Sequence, residues 1–225
     1  MPPATTPSHH FYPALGNYLE QRTREFDQIP AQRKADLAAL GEYVRQKRGA
    51  GLPAKLTFIC THNSRRSHLS QIWAQVAAAW FNINGVETYS GGTEATAFNP
   101  RAVNALRACG LEIDSENPNA TNPLYRVRYS AEAPPLECFS KVFDQPPNPS
   151  TGYCAVMTCS QADDACPIVS GCDLRVAIRY EDPKAADDTP EEAARYARRS
   201  AQICREVLYL MGSVCIEPGP MLSLA

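Results

Sequence analysis

Neither sign of charge is in excess in this chain of 225 residues: 22 Lys and Arg stand against 24 Asp and Glu, a formal net charge of -2. That balance argues against a nucleic-acid binder and against a protein of anionic membrane surfaces, both of which need a basic face. No run approaches the roughly 18 consecutive apolar residues that cross a bilayer. The opening residues, MPPATTPSHHFYP, lack a basic stretch followed by an apolar one, so no secretory signal is expected and a cytoplasmic location is. The sequence G-x-x-x-x-G-K is missing, which counts against a nucleotide hydrolase, and there is no internal repeat. Apolar residues are in ordinary supply at 44%. That is enough for one α/β domain with an appendage, or for two small domains.

Cysteine is the residue in surplus. There are nine, and five of them fall between Cys138 and Cys172. An odd count in a chain without an export signal argues against a structural disulfide framework. The crowding then points to metal, redox chemistry or accident. Structural zinc sites pair their ligands as C-x2–4-C, and only Cys154 and Cys159 come near that spacing, so no metal is expected. Cys109, Cys138, Cys154, Cys172, Cys204 and Cys215 are read as core residues.

The pattern along the chain divides it. Residues 1–10 are polar and rich in Pro and Thr, a tail expected to be disordered. Helical periodicity runs from Pro13 to about Phe26 and from Pro30 to about Arg48, where Leu37, Leu40, Tyr43 and Val44 recur at helical spacing. Residues 1–53 are thus a tail and a helical arm, closed by the linker GAGLP. Beyond it KLTFIC, VETYSGG, GYCAVMTCS and RVAIRY read as strands. They alternate with helices over SHLSQIWAQVAAAWF, NPRAVNALRACG and TPEEAARYARRSAQICREVLYLMG, the last capped by Thr189 with Pro190 at its first position. This implies an α/β fold: a flavodoxin-like parallel four-stranded sheet with helices on both faces. It spans 54–215, interrupted at about 115–150 by a Pro-rich insertion holding a hairpin of LYRVRYS and ECFSKVFD. Residues 216–225 form a second tail.

The chemistry concentrates in ICTHNSRRSHL, residues 59–69. A strand ends at Cys60 and a helix begins near Ser67, so THNSR is the loop between them. Ligands of open α/β sheets bind at the carboxyl ends of strands. A loop wrapped ahead of a helix N-terminus turns backbone N–H groups inward as an oxyanion cradle. Thr61, His62, Asn63, Ser64, Arg65, Arg66 and Ser67 are the candidate cradle, with Arg66 offering a planar fork to a tetrahedral oxyanion. Asn63 tolerates the left-handed backbone that a tight cradle requires. The helix terminus, the guanidinium and the Ser67 hydroxyl all favour a thiolate, so Cys60 is a candidate nucleophile facing the bound oxyanion.

C-T-H-N-S-R-R-S closing a strand, followed by YSGGTEA and NPRAVNAL, resembles the low-molecular-weight protein tyrosine phosphatase family. The resemblance implies Cys60 as nucleophile, Arg66 as oxyanion clamp and, from the Asp-Pro pair of RYEDPKA, Asp182 as general acid. His62 stands where that loop often has glycine and Arg65 where it often has cysteine; an added cation should favour a small, highly charged oxyanion. A second stretch, VMTCSQADDACPI, holds Cys159 at a strand end and Cys166 seven residues on in a polar loop. It resembles the thioredoxin-coupled arsenate reductases, which share the phosphatase-like fold. The likeness covers most of residues 55–212 outside the Pro-rich segment.

That second resemblance implies a small oxyanion substrate, no bound cofactor, and an external dithiol of the thioredoxin type as partner. It also implies a relay in which Cys159 attacks the Cys60 adduct and Cys166 then attacks Cys159. Two other readings stand beside the reductase. One is a phosphatase acting on phosphotyrosine or small phosphomonoesters, which completes its cycle with water and has no use for Cys159 and Cys166. The other is an oxyanion-binding module without catalysis, in which Asp182 has no task.

Overall fold

A computed structural model describes residues 11–166 and 168–215; the expected tails at 1–10 and 216–225 lie outside the described residues. Two helices open the chain, α1 (Pro13–Thr23) and α2 (Ala31–Gly49), joined by a 3-10 turn at Phe26–Gln28. Proline sits at the start of each, where its missing N–H costs nothing. There follow β1 (Ala54–Cys60), α3 (Arg66–Trp80), β2 (Val86–Gly92) and α4 (Pro100–Ala108). Asn99 caps α4, its side chain accepting from Arg101 N at 2.9 Å. The insertion carries β3 (Glu112–Asp114), β4 (Tyr125–Arg128) and β5 (Leu136–Cys138). The chain then returns through β6 (Tyr153–Met157), α5 (Ser160–Ala165), β7 (Cys172–Ala177), a 3-10 turn at Pro183–Ala186 and α6 (Glu192–Val214).

Four strands form one parallel sheet in the order β2-β1-β6-β7, the flavodoxin-like arrangement expected. Side chains alternate between its faces with the period of two that strands impose. Leu56, Phe58, Cys154 and Val156 point into a large core, shared with Ile72 and Trp73 of α3 and Ile203 and Leu208 of α6. Ile59, Tyr153, Ala155 and Met157 face a smaller cluster under α5. Leu15, Leu19, Leu37, Leu40 and Val44 of the first two helices belong to the large core as well, packed over α6. Among the described residues no helix is long and apolar enough to cross a membrane.

Four local features differ from the sequence expectation, each for a readable reason. The hairpin of the insertion is present as β4 and β5, and a third strand, β3, joins it through Ile113 opposite Val127. Three residues of mixed polarity are too short for a periodic signal. The fourth strand of the parallel sheet begins earlier and ends at Ala177. The last helix starts at Glu192 because the hydroxyl of Thr189 donates to Ala186 O at 2.7 Å, which closes a turn ahead of it. And the stretch between Cys159 and Cys166, read as a polar loop, is the short helix α5, with Cys159 Sγ accepting from Ala162 N at 3.4 Å at its N-terminus.

Candidate active site

The order of strands reverses direction between β1 and β6, and at such a switch point the loops part to leave a crevice at the carboxyl edge. Cys60 is the last residue of β1 and stands at that edge. From it the chain runs through Thr61–Arg65 into α3, whose first residue is Arg66.

The loop is held from outside by its carbonyl groups. Cys60 O accepts from Thr93 N at 3.1 Å and Thr61 O from Glu94 N at 2.9 Å. His62 O accepts from the hydroxyls of Thr96 and Ser140, both at 3.0 Å. Ser64 O accepts from Asn99 N, and Arg65 O from Leu69 N within the new helix, each at 2.9 Å. In a planar trans peptide the carbonyl and the following N–H point in opposite directions. With these carbonyls turned outward, the amides of Thr61, His62, Asn63, Arg65 and Arg66 turn to the inner side. A loop so arranged presents N–H donors of the kind an oxyanion accepts from.

Asn63 supplies the bend. Its φ of 43° lies in the left-handed region that asparagine tolerates. Its side chain is wholly buried and ties three segments together: Nδ2 donates to Ser67 Oγ at 2.9 Å, and Oδ1 accepts from Lys141 N at 2.9 Å. Because Ser67 Oγ already accepts from Asn63, its own proton is free for the Cys60 sulfur, 3.1 Å away.

Cys60, His62, Ser64, Arg65, Arg66 and Asp182 line one small cup. Arg66 is buried; its Nη2 donates to Asp182 Oδ2 at 2.7 Å, its Nη1 to Tyr180 O at 3.2 Å, and its buried Nε has no protein partner. Asp182 caps the 3-10 turn that follows, accepting from Lys184 N at 3.1 Å. Arg65 points elsewhere: its Nε donates to Tyr196 Oη at 2.7 Å and its Nη2 to Asp187 at 3.2 Å.

Cys159 is buried in the same small cluster as Cys60, and its sulfur lies 3.5 Å from Thr61 Oγ1. Cys166 is half-buried at the far end of α5, with burial pushing its thiol up from the ordinary range. Cys109, Cys138, Cys154 and Cys204 are buried, while Cys172 and Cys215 are partly so. Among the described residues no group of three His, Cys, Asp or Glu side chains is placed to hold a metal.

With the loop, its cation and its acid on one edge, comparison with known proteins becomes informative. No family model matches the chain. An arsenate reductase of Bacillus licheniformis is 26% identical over 144 residues, 63% of this chain and 83% of that protein. An arsenate reductase of Halalkalibacterium halodurans is 28% identical over the same length and coverage. The chain is thus similar to arsenate reductases over most of their length. Among solved structures, a low-molecular-weight phosphotyrosine phosphatase from Vibrio cholerae O395 aligns with 71% of this chain and 95% of its own, at 14% identity and a TM-score of 0.46.

The loop also has supports that its own sequence does not announce. The segment after β5, in the Pro-rich insertion, buttresses the cradle through Ser140 and Lys141, and Lys141 O accepts from Gly92 N at 2.9 Å. Gly92 itself lies against the loop. A Cβ there would stand 2.2 Å from Glu94 O, 2.6 Å from Asn63 N and 2.7 Å from Thr61 O, all backbone. The paired glycines of YSGG were the available signal, since glycine inside a strand marks close backbone approach. Gly92→Ala is expected to force the loop outward, costing about 1–3 kcal/mol as overpacking does. Urea unfolding reads the stability, and inhibition by inorganic phosphate should weaken in parallel; unaltered inhibition would show that the loop does not need this contact.

Proposed function

We propose that the protein is an arsenate reductase that works through a nucleophilic Cys60 and a relay of three cysteines. The observation that carries this reading is the joining of two sets of groups in one place. The oxyanion cup of Cys60, Arg66 and Asp182 would serve a phosphatase as well as a reductase. The buried Cys159, in the same small cluster as Cys60 and followed by Cys166 one short helix away, has a task only where electrons must be supplied.

In this reading arsenate enters the cup, accepting from the loop amides and from the guanidinium of Arg66, whose unpartnered Nε and whose Nη2, once released by Asp182, suit a bidentate contact. Asp182 exchanges Arg66 for the departing oxygen and protonates it as the Cys60 sulfur bonds to arsenic. Cys159 then attacks the Cys60 sulfur. The electron pair of the sulfur–arsenic bond passes to arsenic, arsenite leaves, and a Cys60–Cys159 disulfide remains. Cys166 attacks Cys159, which restores Cys60 as thiolate and moves the disulfide to Cys159–Cys166. An external dithiol of the thioredoxin type reduces it, which suits a cytoplasmic location.

A phosphatase is the second reading, and the cup supports it: Cys60, Arg66, Asp182 and water suffice to hydrolyse an aryl phosphate. The deciding experiment sets the purified protein on arsenate with a thioredoxin system and on an aryl phosphate, side by side. Arsenite release coupled to dithiol oxidation, at a higher kcat/KM than ester hydrolysis, is expected. Hydrolysis alone would leave the phosphatase reading in its place. Asp182→Asn should slow formation of the first adduct by about 10²–10⁴-fold, as loss of a general acid does. Inhibition by inorganic phosphate should change little; if it collapses while the single-turnover rate holds, Asp182 is structural.

A further inference from the structure

The 3-10 turn Pro183–Ala186 has a carboxylate at each end, Asp182 before it and Asp187 after it, and two consecutive arginines grip them. Arg66 takes Asp182; Arg65 takes Asp187 at 3.2 Å. The second grip is closed into a triangle by the fully buried Tyr196 of α6. Its Oη accepts from Arg65 Nε at 2.7 Å and donates to Asp187 Oδ1 at 2.8 Å. Burial and the Asp187 contact push the Tyr196 phenol up to about 12, so it stays a donor across the working range. Arg101 of α4 secures the following residues, donating to Asp188 at 2.6 Å and pairing with Glu192 at 2.6 Å.

The first grip is one the reaction has to break, because an oxyanion in the cup competes with Asp182 for the Arg66 guanidinium. The second is not, since Arg65 is turned away from Cys60 toward Tyr196 and Asp187. We propose that Arg65, Asp187 and Tyr196 are positioning residues that hold Asp182 over the cup while Arg66 is occupied by substrate. Arg65 on this view contributes little to anion binding, since its charge is met by Asp187. The inference rests on Asp182 as the general acid, and the test separates the two.

The readout is the burst of aryl alcohol released as the Cys60 adduct forms, which is independent of how the cycle closes. Two esters are compared: phenyl phosphate, whose leaving group needs a proton, and 2,4-dinitrophenyl phosphate, whose leaving group does not. Asp187→Asn should slow the phenyl ester about 10²-fold, the scale of a misplaced catalytic group, and the dinitrophenyl ester by no more than about threefold on the same reasoning. Tyr196→Phe, which deletes one hydroxyl and keeps the packing, should show the same split to a smaller degree. Inhibition by inorganic phosphate should stay within about twofold for both variants, which also shows that the cup is folded. Equal losses on both esters, or phosphate inhibition weakened in step with the rate, would overturn the assignment. Asp182→Asn must show the split in full. If it does not, the general-acid reading fails and the clamp with it; if it does while Asp187→Asn is silent, only the clamp fails.

Discussion

Cys60→Ser removes turnover of arsenate and of aryl phosphate alike to the limit of detection, while inorganic phosphate still binds. The expectation separates what the cup does from what the sulfur does. The loop amides, Arg66 and the Asn63–Ser67–Lys141 ties are untouched by the exchange, so the oxyanion finds the same donors. A serine hydroxyl does not ionise near neutral pH, and Ser67 offers it a donor where it would need a base. The alcohol is also unable to form the disulfide on which the relay turns. Arg66→Lys is the companion: an ammonium lacks the planar two-nitrogen fork, and it leaves Tyr180 O, Asp182 and the oxyanion to share one nitrogen. Loss of one preorganised oxyanion donor is worth about 10²–10³ in kcat. Calorimetry with phosphate and stopped-flow burst kinetics check both. A burst from Cys60→Ser would mean that the nucleophile lies elsewhere.

The sheet and the loop were legible in the sequence because both are local. KLTFIC and GYCAVMTCS are apolar runs bounded by Gly and Pro, and their burial on both faces in the parallel sheet is what such runs report. The loop was legible because C-x5-R-S between a strand and a helix leaves the backbone little choice. What surrounds the loop was not legible, since it arrives from far along the chain. Lys141 reaches Asn63 across 78 residues and Tyr196 reaches Arg65 across 131. Neither is marked by a local pattern, and Arg65 next to Arg66 reads from sequence alone as one more cation for the oxyanion. The structure gives its guanidinium to Tyr196 and Asp187. The six residues of α5 escaped for a different reason. A helix that short is marginal by itself, and it persists because Asp163, nearly buried, pairs with Arg175 and Arg179.

That helix sets the terms of the second disulfide exchange in the proposed cycle. Cys159 and Cys166 flank α5, and seven residues at 1.5 Å each set their Cα atoms about 10 Å apart along its axis. A disulfide needs them within about 7 Å. So the pair cannot close while α5 is wound, and Arg175 opposes the change by donating to Asp163 O at 2.8 Å and to Cys166 O at 3.0 Å. Cys60 and Cys159 face no such obstacle: Cys60 ends β1, Cys159 follows the adjacent β6, the two strands are in register at Ile59 and Met157, and both cysteines share one buried cluster. The first disulfide should form with the helix intact, the second only after it unwinds. Because burial pushes the Cys166 thiol up, its thiolate fraction grows as pH rises from 7, and the second step should quicken accordingly. Cys166→Ser is then expected to release about one equivalent of arsenite and stop with Cys60–Cys159 oxidised, since nothing resolves it. Cys159→Ser should release none, and aryl phosphate hydrolysis should survive both changes. Peptide mapping after arsenate treatment of Cys166→Ser reads the trapped bridge. If arsenite release continues past one equivalent with only monothiol-free buffer and a thioredoxin system present, Cys166 is dispensable, and the external dithiol must reach Cys159 directly.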